Sequence, residues 1–142
     1  MDATHTGQAR LRQLVVVLGD QLDHDSAALE GFDARQDAVW MAEAHPESTR
    51  VWVSQPRIAL FLAAMRHFAA KCRARGWRVH YRELADGPSM ATLAMLLAED
   101  LATLRPARVV MVEPGEWALR AAVREVVAET GLPYEEREDR HF

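Results

Sequence analysis

Hydrophobic residues run without interruption from position 14 to position 18, and β-branched side chains predominate in that run. An apolar run of this length that ends at Gly19 predicts a strand buried on both faces. Strands of that kind lie in the middle of parallel sheets that helices cover on both sides. Residues 108–113 are again nearly all apolar and predict a second central strand.

Three further segments predict strands of the same sheet. Residues 37–43 are mostly apolar, and residues 134–137 suit a short last strand. Residues 77–84 alternate between apolar and polar side chains, which predicts a strand nearer the sheet edge. A polar, turn-rich loop over residues 22–36, with a short helical turn at residues 27–29, is expected between the first two strands.

Segments with helical periodicity separate the later strands. The first begins near Pro56 and ends before Gly76, residue types that favour helix starts and ends respectively. The other two cover residues 90–104, with Ser89 as the predicted N-cap, and residues 118–130.

Strands that alternate with helices predict an α/β fold, a Rossmann-like three-layer sandwich around a five-stranded parallel sheet. The two most apolar strands, the first and the fourth, are expected to be neighbours, which gives the strand order 3-2-1-4-5. The topological switch point then lies between these two strands. Open α/β sheets bind their ligands at such a point, beyond the carboxyl ends of the strands.

Three loops are expected to meet at this crevice, namely residues 19–22, 45–50 and 113–117. The acidic residues of these loops are Asp20, Glu47, Glu113 and Glu116, and Glu43 lies at the end of the second predicted strand. This acidic character disfavours a triphosphate or a pyrophosphate, and the loop after Gly19 lacks the glycine pattern of phosphate-binding loops. Carboxylates and the amide of Gln21 are better suited to sugar hydroxyls, ring N–H groups and a neutral heterocycle.

Each acid taken singly also has a simpler interpretation. Asp20 suits a cap of the following turn, and Glu113 and Glu116 complement the N-terminus of the third helix. The histidines show no metal-ligand spacing, and no serine or cysteine has a visible base partner. We therefore expect no catalytic residue, no metal site and no complete enzyme in this chain.

The composition sets further limits. A chain of 142 residues predicts one domain, residues 13–142, after a disordered leader at residues 1–12. The net charge of -4 argues against nucleic-acid binding by this chain alone. The single cysteine, Cys72, excludes an internal disulfide. No apolar leader or membrane-spanning run is present, so we expect a cytoplasmic protein without a membrane partner.

Four motifs resemble those of one family: Leu18-Gly19-Asp20-Gln21-Leu22, Ala64-Met65-Arg66-His67-Phe68, Gly76-Trp77-Arg78-Val79 and Glu113-Pro114-Gly115-Glu116-Trp117. They are similar to the N-terminal domain of the deoxyribodipyrimidine photolyase-related proteins, the iron–sulfur bacterial cryptochromes and (6-4) photolyases. The matching segments occur in the same order as in the family, from Leu14 to Phe142. The resemblance implies that the chain is a domain of a longer photolyase-like protein.

The resemblance also implies cofactors and partners. In this family the α/β domain holds an antenna chromophore, 6,7-dimethyl-8-ribityllumazine, which passes excitation energy to FAD. FAD and a 4Fe-4S cluster belong to a helical C-terminal domain that this chain does not contain. The implied partners are the small-molecule chromophore, that FAD domain, and DNA only through the longer protein. That protein would be a photolyase-type lyase for light-dependent DNA repair, or a blue-light sensor.

By resemblance, the chromophore pocket would include Gly19, Asp20, Gln21, Leu22, Glu47, Ile58, Phe61, Glu113, Gly115 and Glu116. Trp117 suits the core as well as the pocket wall. Residues 50–56 depart from the Tyr and His/Lys-rich pattern of the family. Two alternatives therefore stay open: a structural domain with a vestigial pocket, or an unrelated nucleotide-binding α/β module.

Overall fold

The strands of the sheet are Gln13–Val16 (β1), Asp37–Ala42 (β2), Arg78–Arg82 (β3), Val109–Val112 (β4) and Tyr134–Arg137 (β5). All neighbouring strands are parallel, and their order across the sheet is β3-β2-β1-β4-β5. The predicted α/β fold and strand order are therefore confirmed. The computed structural model describes residues 10–44, 55–83 and 91–138, and only the backbone of residues 55–58.

The helices are Gln55–Ala74 (α1), Leu93–Leu104 (α2) and Trp117–Thr130 (α3), with a 3-10 helix at Ala27–Leu29. The predicted start of α2 is wrong by a few residues. Thr92 is its N-cap, because the Thr92 hydroxyl accepts a hydrogen bond of 3.3 Å from the backbone N–H of Met95. Ser89, the predicted cap, lies outside the described residues.

The central strands are buried on both faces because two helical layers cover the sheet. On one face, Val16 of β1 belongs to the same core as Leu97 of α2 and Val123 of α3. On the other face, Val15 shares a core with Phe68 of α1 and with the 3-10 helix. This arrangement explains why the sequence of β1 shows no polar alternation.

Residues at the end of the predicted leader are held against the domain. Leu11 is buried, and the guanidinium of Arg12 forms a salt bridge of 2.6 Å with Asp37. Arg10 donates to the backbone oxygens of Arg105 and Pro106 at 2.6 and 3.1 Å. The prediction that residues 10–12 belong to a disordered leader is therefore wrong. Residues 1–9 lie outside the described part of the chain. None of the helices within the described ranges is long and apolar enough to cross a bilayer.

Candidate functional site

A cavity of about 340 Å³ opens at the carboxyl-terminal edge of the sheet, beside the ends of β1 and β2 and the N-terminal half of α1. Its lining residues are Leu18, Gly19, Asp20, Ala42, Glu43, Ala44, Phe61, Leu62, Met65, Leu93, Gly115, Glu116 and Leu119. The residues that follow β1 and β4 therefore meet at one cavity. This is the topological switch point of the sheet, since β1 and β4 are neighbours that are not consecutive in the chain.

Gly19 allows α1 to approach the loop after β1 very closely. A Cβ atom built on Gly19 would overlap the ring of Phe61 and would lie 3.1 Å from the Sδ atom of Met65. The position therefore accepts a side chain only if Phe61 moves. The Phe61 ring lines the cavity and is also 47% exposed, so it forms a wall that meets solvent.

Gln21 links the loops that follow β1 and β4. Its Nε2 atom donates to the backbone oxygens of Val112 and Glu113 at 3.3 and 3.5 Å. These bonds hold the two loops side by side at the cavity. The Gln21 side chain thus has a structural role in this arrangement, and it is not among the lining residues.

Glu43 is the buried carboxylate of the cavity wall, with only 2% of the residue exposed. It accepts hydrogen bonds of 2.6 and 2.8 Å from the guanidinium of Arg66 and one of 2.5 Å from the hydroxyl of Tyr81. The hydrogen bond to Glu43 raises the pKa of Arg66. Burial, followed by the hydrogen bond to Glu43, raises the pKa of Tyr81. The negative charge of Glu43 is therefore compensated inside the protein.

The other lining acids are Asp20 and Glu116. Asp20 follows Gly19 and is exposed, and Glu116 is exposed at the N-cap of α3. The Glu116 side chain makes no capping hydrogen bond to the helix. Both carboxylates therefore face the solvent-accessible part of the cavity, where each is able to accept a hydrogen bond from a ligand.

Several residues of the predicted pocket do not line the cavity. Leu22 packs against the core on the α1 side of the sheet, and Glu113 forms a salt bridge of 3.3 Å with Arg120. Trp117 is 81% exposed, so the prediction that it suits the core is wrong, and it is not a lining residue of this cavity. Glu47 lies outside the described residues, and only the backbone of Ile58 is described.

Most of the apolar wall was not predicted from the sequence. The missed residues are Leu18, Ala42, Ala44, Leu62, Met65, Leu93 and Leu119. In the sequence these residues look like core residues. Those on helices belong to the same apolar stripe that packs against the core, because one stripe faces both the core and the cavity. A signal was available for Met65, since Phe61 was predicted and Met65 lies four residues later on the same face of α1.

Comparison with known proteins identifies the family. The family model described as deoxyribodipyrimidine photo-lyase-related protein matches residues 15–142. The chain belongs to this family. A (6-4) photolyase from Agrobacterium fabrum (strain C58 / ATCC 33970) is 35% identical to this photolyase-related chain over 132 residues. The match covers 93% of this chain and 26% of the relative, so the chain spans about a quarter of the relative's length.

Two solved structures resemble the photolyase-related chain more distantly. One is the universal stress protein from Archaeoglobus fulgidus in complex with dAMP, with a TM-score of 0.48. The other is a universal stress protein family member from Burkholderia pseudomallei, with a TM-score of 0.47. Each is 14% identical, and each match covers 89% of this chain and 96% of the other. At these sequence identities and TM-scores, the two structures support no conclusion about the ligand of this chain.

Proposed function

We propose that this photolyase-related chain binds an antenna chromophore, 6,7-dimethyl-8-ribityllumazine, in the cavity at the carboxyl-terminal edge of its sheet. The observation that carries the proposal is the composition of the cavity wall. Apolar side chains form most of it, and carboxylates are placed at only a few positions. A flat, uncharged heterocycle with a polyhydroxylated chain requires this combination.

The size of the cavity supports a ligand of this class. Its volume of about 340 Å³ lies within the range of roughly 300–1,000 Å³ that is typical of small-molecule sites. The side chains of the described residues leave this space open, which favours a working pocket over a vestigial one. The divergent residues 50–54 lie outside the described part of the chain.

The charges of the wall support an uncharged ligand. Among the described lining residues there is no lysine, arginine or histidine, and the guanidinium of Arg66, which contacts the lining residue Glu43, is paired with that carboxylate. Among the described lining residues, a nucleotide phosphate would therefore meet carboxylates without a compensating cation, which is unfavourable. This argument disfavours the alternative of a nucleotide-binding module.

Specific residues would hold the chromophore. The face of the Phe61 ring would stack on the heterocycle, and Gly19 would leave the room that Phe61 needs to hold this position. The carboxylates of Asp20 and Glu116 would accept hydrogen bonds from the ribityl hydroxyls. When bound, such a chromophore absorbs light and transfers the excitation energy to an acceptor. In the longer protein the acceptor would be FAD, in a flavoprotein for light-dependent DNA repair or blue-light sensing.

A fluorescence titration of the purified chain with 6,7-dimethyl-8-ribityllumazine tests the proposal, with riboflavin and ATP as comparison ligands. We expect saturable binding that is selective for the lumazine. The substitution Asp20→Ala should weaken binding by about 1–3 kcal/mol, because it removes a hydrogen-bond acceptor for the ligand. Glu129→Ala is the matched control, since Glu129 is exposed on α3 away from the lining residues.

Two outcomes would contradict the proposal in different ways. If circular dichroism shows a folded chain that does not bind the lumazine, the cavity is not by itself a chromophore site. If Asp20→Ala binds as tightly as Glu129→Ala, Asp20 does not contact the ligand. Repeating the titration with the full-length parent protein separates a vestigial cavity from one that another domain completes.

A further inference from the structure

The loop that joins β1 to the 3-10 helix lies along one face of α1. At the cavity end of this loop, Gly19 lies against Phe61 and Met65. Five residues later, the ring of His24 stacks on the ring of Phe68, with the ring centres 4.4 Å apart and the planes inclined by 16°. Because Phe61, Met65 and Phe68 are spaced by four and three residues, they form one stripe on the helix. The same stripe of α1 therefore contacts the loop both at the cavity and at His24.

The surroundings of His24 make this contact sensitive to protonation. The Nδ1 atom is buried and has no hydrogen-bond partner in the described chain. The neutral ring tolerates this environment, because its single proton can reside on Nε2. The imidazolium carries a proton on both nitrogens, so a buried N–H donor would be left without an acceptor. Protonation therefore opposes the stacked position of the ring.

The charges near His24 act in the same direction overall. Among the described residues, the charged groups that act on it are Asp23 and Asp25 in the loop, Lys71 in the last turn of α1, and Arg75 directly after the helix. Burial, followed by the charges of Arg75 and Lys71, lowers the pKa of His24, and the smaller opposing effects of the two aspartates do not reverse this. The stacked ring is therefore neutral near pH 7.

We propose that His24 is a pH-sensitive switch, whose protonation in mild acid releases the loop after β1 from α1 and thereby alters the cavity. Both elements line the cavity, since Gly19 and Asp20 belong to the loop and Phe61 belongs to α1. The Gln21 side chain bonds the loop to the residues that follow β4. The loop therefore stays with the sheet, and the change falls on its contact with the helix.

Amide hydrogen exchange of the full chain, followed by NMR and corrected for the intrinsic effect of pH, tests the switch without any ligand. The informative amides are those of Asp23 and Ser26, which donate to loop oxygens at 2.9 and 3.0 Å on either side of His24. They are compared about one pH unit above and about one unit below the ordinary histidine pKa of about 6.5. Their protection should fall by up to about tenfold at the lower pH, because the released loop binds one more proton. They should exchange far faster than the amides of β1, since the loop opens without unfolding of the domain.

Two substitutions at His24 should give different results. His24→Phe keeps an aromatic ring to stack on Phe68 and cannot be protonated, so the loop amides should stay protected at both pH values. His24→Gln removes the ring, so these amides should exchange rapidly at both pH values. His67→Gln is the control, because His67 is exposed on α1 and takes no part in the stack, and it should keep the pH response of the loop. If His24→Phe does not fold, His24→Gln and the unaltered chain decide.

A second measurement rests on the proposed function. The affinity of the unaltered chain for 6,7-dimethyl-8-ribityllumazine should fall by up to about tenfold between the same two pH values, whereas the affinity of His24→Phe should not. Failure of the lumazine to bind at either pH would contradict the proposed function alone, because the exchange measurement tests the switch without the chromophore.

Three results would overturn the switch. The first is exchange of the Asp23 and Ser26 amides that does not depend on pH in the unaltered chain. The second is the same loss of protection in His24→Phe as in the unaltered chain. The third is equal corrected exchange rates for the loop and for β1, which would show that only unfolding of the whole domain exposes the loop.

Discussion

Arg66 and Glu43 form a bidentate ion pair, with Nε–Oε2 and Nη2–Oε1 distances of 2.6 and 2.8 Å. The Glu43 side chain is fully buried, whereas 53% of the Arg66 side chain is exposed. Tyr81 of β3 donates to the same carboxylate. One carboxylate at the end of β2 therefore fixes the position of α1, and with it the α1 wall of the cavity.

Removal of the Arg66 guanidinium should destabilise the protein. In Arg66→Met the buried Glu43 carboxylate loses its two hydrogen bonds from the guanidinium, so we expect a lower free energy of unfolding. Urea denaturation measures this loss. Arg124→Met is the matched control, because the Arg124 side chain is also 53% exposed and its partner Glu136 keeps Arg120 and Tyr134. If both variants lose the same stability, the ion pair of Glu43 has no special role.

The contact between Gly19 and Phe61 provides a second test. The Cβ atom of Gly19→Ala would displace the Phe61 ring, whereas at Gly115 nothing lies within 4 Å of an added Cβ. Both glycines line the cavity. We expect Gly19→Ala to reduce chromophore affinity by more than tenfold and stability by about 1 kcal/mol, and Gly115→Ala to have a smaller effect on both. Equal affinities of the two variants, measured by fluorescence titration, would contradict this role of Phe61.

The topology of the sheet could be predicted from the apolar patterns of two strands. Residues 14–18 and 109–112 are apolar without alternation, and only central strands of a parallel sheet are buried on both faces. The start of α2 could not be predicted in the same way. Ser89 and Thr92 are both good N-cap residues, and the choice of Thr92 depends on packing beyond the local sequence.

From the sequence, the candidate site could be predicted only for residues that directly follow neighbouring strands, because the strand order alone determines their position. Gly19 and Gly115 lie at the cavity because they follow neighbouring strands. The compensation of Glu43 was missed because its partners lie 23 and 38 residues away in the sequence, on other elements. Helical periodicity could have shown that Trp117 is not a core residue. Leu119 lies four residues before the buried Val123 and therefore on the same inward face of α3, whereas Trp117 does not lie on that face.

The stability of the protein should decrease in mild acid because of two partly buried histidines, His24 and His80. Burial lowers the pKa of His24, as do the charges of Arg75 and Lys71, and burial lowers the pKa of His80. The Nδ1 atom of His24 is buried without a hydrogen-bond partner in the described chain. The unfolded chain therefore binds protons more readily, and stability is lost as the pH falls below about 6.5 and through the folded pKa values.

The substitution His24→Phe should remove part of this pH dependence and preserve the stacking on Phe68, where the ring centres lie 4.4 Å apart. One histidine contributes at most about 1.4 kcal/mol per pH unit to the slope of the unfolding free energy. Urea denaturation across this pH range measures the slope. His67→Gln, at an exposed position of α1, is the control. A slope in His24→Phe equal to that of the control would contradict the assignment.

The thiol of Cys72 should be unreactive in the folded protein. The residue is fully buried on the core-facing side of α1, and burial raises its pKa to about 11 against the smaller opposing effects of Arg75 and Arg73. Because the thiolate is the reactive species, modification by a chromogenic disulfide reagent near neutral pH should require unfolding. The reaction rate should increase with urea in parallel with loss of helix, and rapid modification of the native protein would contradict this burial.

The central claim is that the cavity at the switch point binds the chromophore, and amide chemical-shift mapping by NMR tests it most directly. Titration of the ¹⁵N-labelled chain with 6,7-dimethyl-8-ribityllumazine should shift the amide signals of Gly19, Asp20 and Gly115 at saturating concentration. The amide signals of Arg73 and Arg78, at the opposite edge of the sheet, should stay unchanged. Shifts confined to other surfaces, or no saturable shifts at Gly19, Asp20 and Gly115, would contradict the claim.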